Sequence, residues 1–352
     1  MKKIKFLALS ALLLSTFTFQ SCKDDDETKP EEVVKVKHIF ILNEGKSTLN
    51  NSTLDCYYPN GENSYQSKVY RDNAEGAIGD TGQDIIYYGK RVYISVFGSN
   101  YIAKLDQYGN LLEKYQFTSE QGSPRYLAAK DGFIYVSTYG DKVAKFDTTS
   151  ISAPLGFVEV GYCPEGVAVK DNYLIVCNSV KDYTIPDNRI SIIDLSTFTL
   201  KKNIESEYNN FQAVTVAGNN VYVTYYTPSY EVKTLSVDIE AGTVKPAIDA
   251  SKIATDGTSL YCINTTSPDW VNYTTTYFKQ GSTDSFIDLT NTPELTSAIV
   301  YLFEIDPENK DFYIGTTDYA TNGVVYRFDK NGKFVEKFET SGLNPNSAAF
   351  VY

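Results

Sequence analysis

The sequence predicts an all-β fold, a seven-bladed β-propeller, and two observations carry that prediction. The first is a tyrosine-centred phrase that recurs at 91–95, 133–137, 173–177, 220–224, 259–263 and 311–315. Its centres, Tyr93, Tyr135, Ile175, Tyr222, Tyr261 and Tyr313, lie 42, 40, 47, 39 and 52 residues apart. A period of this length with several strands per unit marks a propeller. The second is composition: 29 Tyr and 19 Phe among 352 residues favour a pleated, half-buried surface over helices. Closed all-β architectures of this length often form one domain.

The elements follow in chain order. Residues 1–21 carry Lys2, Lys3 and Lys5 and then an apolar run from Phe6 to Phe19. This reads as a secretory signal, too short and wrongly flanked for a spanning helix. It ends Ser21-Cys22. A Cys after a small residue at that point resembles a bacterial lipobox and implies that Cys22 is lipidated; the alternative is an ordinary cleaved signal. Residues 22–36 form a polar tether that opens Lys23-Asp24-Asp25-Asp26-Glu27, a charge run expected to be solvated. Next to a lipidated Cys, that run resembles the export signal of outer-surface lipoproteins in Bacteroidetes-type bacteria. Surface exposure is the expectation, and the periplasmic side of the outer membrane the alternative.

Residues 37–352 form the propeller. Ten residues before the first four phrase centres stand Gln83, Arg125, Glu165 and Gln212, each opening a short strand. Polar pairs such as Gly89-Lys90 and Asp131-Gly132 then supply a two-residue hairpin. A variable loop, a strand ending hydrophobic-Asp (Leu105-Asp106, Phe146-Asp147, Ile193-Asp194, Val237-Asp238, Phe328-Asp329) and a fourth, polar strand complete each blade. Six blades fall between 79 and 342. The tail 343–350 reads as an inner strand without a blade, and 38–45 as a tyrosine-type strand without an inner partner. Joined, they make the seventh blade and remove the open edges that invite aggregation. Divergence of the fifth and sixth repeats leaves room for an eighth.

In such a blade the long loops share one face with the starts of the inner strands. Long loops inside a compact domain are usually functional. Here they carry Tyr139, Tyr183, Tyr225, Tyr226, Tyr230, Trp270, Tyr273 and Tyr319 among Asn, Ser, Thr and Asp, the mixture of a recognition surface. Gln83, Arg125, Glu165, Gln212 and, from the tail, Asn346 are expected to converge on the channel, where Arg125 and Glu165 can pair across neighbouring blades. With Tyr126, Tyr139, Tyr183, Tyr225, Tyr226, Trp270 and Tyr273 they are the candidate ligand-binding residues. The phrase tyrosines themselves are expected to pack between blades.

Other chemistry has little support. The net charge of −12 disfavours nucleic acid as a partner. The one histidine, His38, is badly placed for a Ser-His-Asp or Cys-His mechanism. Zinc or copper sites of the usual His or Cys type lack ligands, and no phosphate-cradling glycine loop opens a helix. Carboxylates are plentiful, so hydrolysis by a carboxylate pair stays open. Cys163 and Cys177 lie near one another across a predicted hairpin, and an oxidising compartment permits a bridge there. Cys56 and Cys262 read as buried hydrophobes.

Several phrases together resemble one family: Ile41-Leu42-Asn43-Glu44-Gly45, Gly79-Asp80-Thr81-Gly82-Gln83-Asp84, Gly98-Ser99-Asn100-Tyr101, Pro124-Arg125-Tyr126 and Cys163-Pro164-Glu165-Gly166-Val167-Ala168-Val169. They are similar to the YncE-like seven-bladed surface lipoproteins of Bacteroidetes, including the BtuG-like proteins. The resemblance covers 38–352, most strongly through residue 200. It implies a non-enzymatic protein that captures a corrinoid, cobalamin or cobinamide, as its ligand and passes it to a TonB-dependent outer-membrane transporter. No separate cofactor is expected. The alternatives are a propeller that binds a glycan or a siderophore, and a metal-dependent propeller enzyme of lyase or lactonase type.

Overall fold

A computed structural model describes residues 37–59, 61, 64–72, 76–181 and 184–352. The signal segment, the tether with Cys22, and Tyr183 lie outside the described residues. The described chain falls in one unit that closes as a ring of seven antiparallel sheets.

Blade 1 is built from both chain ends. Its inner strand is Pro345–Val351, followed outward by His38–Asn43, Ser52–Tyr57 and Tyr65–Gln66, with Ala77–Gly79 also paired to Ser52–Tyr57. Blades 2 to 5 begin with the inner strands Gly82–Tyr88, Pro124–Lys130, Pro164–Lys170 and Phe211–Ala217. Each continues outward through three more strands. In blade 4 a small hairpin, Val180–Lys181 with Ile185–Pro186, rises from the loop after the second strand. Blade 6 pairs three strands, Lys252–Thr255, Leu260–Thr266 and Thr274–Lys279. Two 3-10 turns, Leu289–Asn291 and Pro293–Ser297, then pack near its third strand, where the Tyr277 hydroxyl donates to the Leu295 carbonyl at 2.9 Å. Blade 7 starts at Ile299–Ile305.

The phrase residues are scaffold, as expected. Tyr93, Tyr135, Tyr313 and Ile175 are buried, and each tyrosine sits in a cluster shared by two blades. Tyr93 packs with Leu127 and Ile134 of blade 3, Tyr135 with Val167 and Leu174 of blade 4, and Tyr313 with Ile41 and Phe350 of blade 1. The polar pairs behave as their sequence implies. Gly89 and Lys90 take φ of 58° and 63°, and Asp131 and Gly132 take 50° and 83°, the left-handed geometry of a tight hairpin.

Side chains on the second strands of blades 2, 3 and 4 also tie each of these blades to the next inner strand. The Ser95 hydroxyl donates to the Arg125 carbonyl, Ser137 to the Glu165 carbonyl at 2.7 Å, and the Cys177 thiol to the Ala213 carbonyl at 3.4 Å. The ring is closed at blade 1. His38–Asn43 pairs with the tail strand from His38↔Val351 to Asn43↔Pro345. Asn346 donates to the carbonyls of Gly82 and Gln83 at 2.9 and 3.0 Å, and Ser347 to Asp84 at 2.9 Å. Cys163 and Cys177 are not joined by a disulfide, and Cys56, Cys177 and Cys262 are buried thiols.

Candidate functional site

The ring positions are set by β-bulges. On the inner strand of blade 2 the register slips between Gly82 and Asp84, so that Gln83 is the extra residue. The same slip brackets Arg125 with Tyr126 in blade 3, Glu165 with Gly166 in blade 4, Gln212 in blade 5, Tyr301 in blade 7 and Asn346 in blade 1. A bulge leaves its residue outside the ladder and re-aims the side chain. One recurring device thus sets the ring position in six of the seven blades. Blade 6 pairs without a slip, and there Lys252 lines the channel.

The channel encloses about 860 Å³. On the side of blades 2 to 4 its wall is a polar cluster centred on Arg125. The guanidinium donates through Nε and Nη2 to Glu165 Oε2 at 2.8 and 2.7 Å, and through Nη1 to the Gln83 side-chain carbonyl. The Tyr139 hydroxyl donates to the other Glu165 oxygen. Arg125 also lies 4.7, 4.9 and 5.7 Å from the ring centres of Phe97, Tyr139 and Tyr126. Burial alone would lower the Arg125 pKa, yet Glu165 and the tyrosine oxygens outweigh it and raise the net value. The Tyr139 phenol is pushed far above its ordinary range by burial and by the Glu165 charge.

The opposite side, from blades 5 to 7, is aromatic. Tyr226 and Tyr301 line the cavity, and Tyr319 stands edge-on to Tyr301 at 5.9 Å. The Tyr301 hydroxyl donates to Glu44, whose carboxyl is raised by burial against that hydrogen bond. Below this mouth the channel holds Asp84, Lys252 and Glu304. Asp84 accepts from Leu127 N–H, Ile85 N–H and Ser347 Oγ, each at 2.9 Å, while burial pushes its carboxyl up to about 6. Burial lowers the Lys252 ammonium, and pushes Glu304 up to about 8, aided by the charge of Asp84.

The structure brings Gln83, Arg125, Tyr126, Gln212, Tyr226 and Asn346 together on the cavity wall. Tyr139 and Glu165 flank Arg125. Gln212 is turned toward its own loop, donating to the Asn210 side chain at 2.6 Å. Tyr225 does not line the channel: it packs against Tyr208, 5.2 Å between rings, in the core shared by blades 4 and 5. Trp270 is 65% exposed at the tip of its loop, where Tyr273 donates to its carbonyl at 3.1 Å. His38 sits on the opposite, short-turn face, with Nε2 at 2.7 Å from the Gln107 carbonyl. Among the described residues no three His, Cys, Asp or Glu side chains are placed to hold a metal ion.

Sequence reasoning passed over Lys252, Tyr301 and Glu304. Tyr301 stands twelve residues before Tyr313, because the turn from Asp306 to Asp311 is longer than its counterparts. Lys252 needs no offset of ten, because its strand has no bulge.

No protein-family model matches the chain, and no curated protein matches it in sequence. Solved structures do resemble it. A hydrazine synthase chain from Kuenenia stuttgartiensis superposes with a TM-score of 0.60 at 17% identity, covering 76% of this chain and 89% of that one. The computationally designed Ika8 protein gives 0.52 at 13% identity, with the same coverage of 76% and 89%. At these identities the likeness is one of fold alone.

Proposed function

We propose that the protein is a lipid-anchored, surface-exposed ligand-capture propeller of the YncE-like, BtuG-like kind, which binds a corrinoid and delivers it to a TonB-dependent transporter. The observation that carries this reading is the two-sided mouth of the channel. An Arg125-centred polar wall faces an aromatic wall of Tyr226, Tyr301 and Tyr319 across a cavity of about 860 Å³. A corrin offers broad apolar edges for the aromatic side and peripheral amides for the polar side. A concave site in which a few polar groups converge beside aromatic surface is a common setting for a small-molecule ligand. Lys37, the first described residue, lies on the short-turn face of the propeller, opposite the channel mouth.

Isothermal titration with cyanocobalamin and with cobinamide tests the reading. The expected result is saturable heat at micromolar ligand and a rise in melting temperature. Ligand at a hundredfold excess over Kd stabilises by about 2.7 kcal/mol. No heat and no thermal shift with either compound would overturn the corrinoid assignment.

A glycan is the second reading, favoured by Tyr230 and Trp270, which are 72% and 65% exposed and hold φ of 64° and 60°. Bulky residues rarely adopt this conformation, and such strain concentrates at functional loops. A glycan panel that gives saturable binding where corrinoids give none would move the assignment there.

A further inference from the structure

The charged groups of the channel divide into two kinds. Arg125 is held by Glu165 and Gln83, Glu44 accepts from Tyr301, and Asp84 accepts from two backbone amides and Ser347. Lys252 and Glu304 differ. They stand on the neighbouring inner strands of blades 6 and 7, both line the cavity, and both are half-buried. Neither side chain makes a hydrogen bond or ion pair with another described residue. The Lys252 ammonium lies 5.6 Å from the ring centre of Tyr301. Each nonetheless feels the other's charge. A half-buried charge without a partner is costly unless something else satisfies it. In register Glu304 is level with Ile86 and Thr215 of blades 2 and 5, and Lys252 stands one inward-facing position nearer the mouth, level with Asp84 and Ala213.

We propose that Lys252 and Glu304 form the anchor of the channel's ligand and take a primary carboxamide. This rests on the reading of the channel as a ligand site, and deepens it by assigning the chemical class that the lower tier recognises. The argument is one of complementarity. A carboxamide oxygen accepts from the Lys252 ammonium. Its NH2 group donates to a Glu304 oxygen. In the protonated state Glu304 and the amide close a two-hydrogen-bond ring, the carboxyl O–H donating to the amide carbonyl and the amide N–H donating to the carboxyl C=O. In the ionised state the N–H donation remains, and Lys252 still serves the carbonyl. An amide therefore satisfies the pair whichever form Glu304 takes. A carboxylate would meet Glu304, Asp84 and Glu44 together, and an ammonium would meet Lys252.

The test uses fragments and so does not require the whole ligand. Protein labelled with 13C at lysine Cε gives a Lys252 resonance, assigned by its loss in Lys252→Met. Propionamide, propionate and propylamine are titrated separately into the millimolar range at pH 7. Propionamide is expected to shift the Lys252 signal saturably, with at least tenfold weaker responses from the charged fragments. The response should vanish in Glu304→Leu and persist in Glu304→Gln, whose amide can pair in the same way. The other lysine signals report that each variant is folded. Equal or stronger binding of propionate or propylamine, or no response to propionamide, overturns the proposal. Binding of propionamide without binding of corrinoids would leave the anchor standing and remove the corrinoid.

Discussion

The Arg125–Glu165 pair gives the sharpest stability test. Their side chains are 15% and 5% exposed, so both charges are largely out of water. Removing one partner of a buried pair costs about 3–5 kcal/mol, chiefly from the charge left behind. Arg125→Met strands Glu165 with the Tyr139 hydroxyl as its side-chain donor, and the low end, about 3 kcal/mol, applies because the mouth is open to water. Glu165→Met is milder. Arg125 keeps Gln83 and the faces of Phe97 and Tyr139, which offset part of the loss, and about 2 kcal/mol is expected. The double variant strands no charge. It loses one hydrogen bond each for Gln83 and Tyr139, about 1 kcal/mol apiece. Its cost should therefore be about 2 kcal/mol, not the sum of about 5, a coupling of about 3 kcal/mol. Equilibrium urea denaturation of the four proteins measures this directly. In a domain of this length about 3 kcal/mol corresponds to a fall of roughly 4–5 °C in Tm. Single variants costing below about 0.5 kcal/mol, or a double variant equal to the sum, would refute the picture of a desolvated, mutually dependent pair.

Two further outcomes follow from the geometry. Asn346→Ala removes two hydrogen bonds from the closing strand to Gly82 and Gln83 and should cost about 1–3 kcal/mol, seen as a lower urea midpoint. Stability unchanged in that variant would show that closure rests on strand pairing alone. The pH dependence has an unusual sign. Glu304 titrates at about 8 in the folded chain, against about 4.3 when unfolded, so between these values the folded form holds a proton the unfolded form has released. Its contribution therefore falls as pH rises through that window, and Asp84, raised to about 6, adds the same sign at its lower end. Glu304→Gln should flatten the decline between pH 6 and 8, measured as urea midpoints; parallel slopes for both proteins would refute it.

Much of the fold was legible because a propeller repeats one physical solution. The tyrosine phrase fills the wedge between blades, and each copy meets the same constraint, so Tyr93, Tyr135 and Tyr313 recur in equivalent places. The hairpin pairs are equally local: residues such as Gly89 and Asp131 are needed where φ is positive. The pairing of Arg125 with Glu165 was legible for the same reason, since an equal offset in adjacent blades puts equivalent residues side by side. Tyr225 shows the limit of composition alone. It and Tyr226 are consecutive on one strand and face opposite sides, so only Tyr226 reaches the channel while Tyr225 joins the core.

The residues that escaped notice mark where the repeat is broken, and that is a physical reason for them to carry specificity. An inner strand with the common bulge presents its ring residue at the mouth, and in blades 1 to 5 these are neutral amides or members of one satisfied ion pair. Blade 6 omits the bulge and presents Lys252 to the channel. Blade 7 keeps the bulge but lengthens the next turn, so Tyr301 and Glu304 lie outside the offset that locates the others. A scaffold needs its copies alike, whereas a ligand without sevenfold symmetry needs them to differ. The two most irregular blades therefore supply the two unpartnered ionisable groups and, in Tyr301 and Tyr319, most of the aromatic wall, while the regular blades supply the rigid frame against which a bound molecule is held.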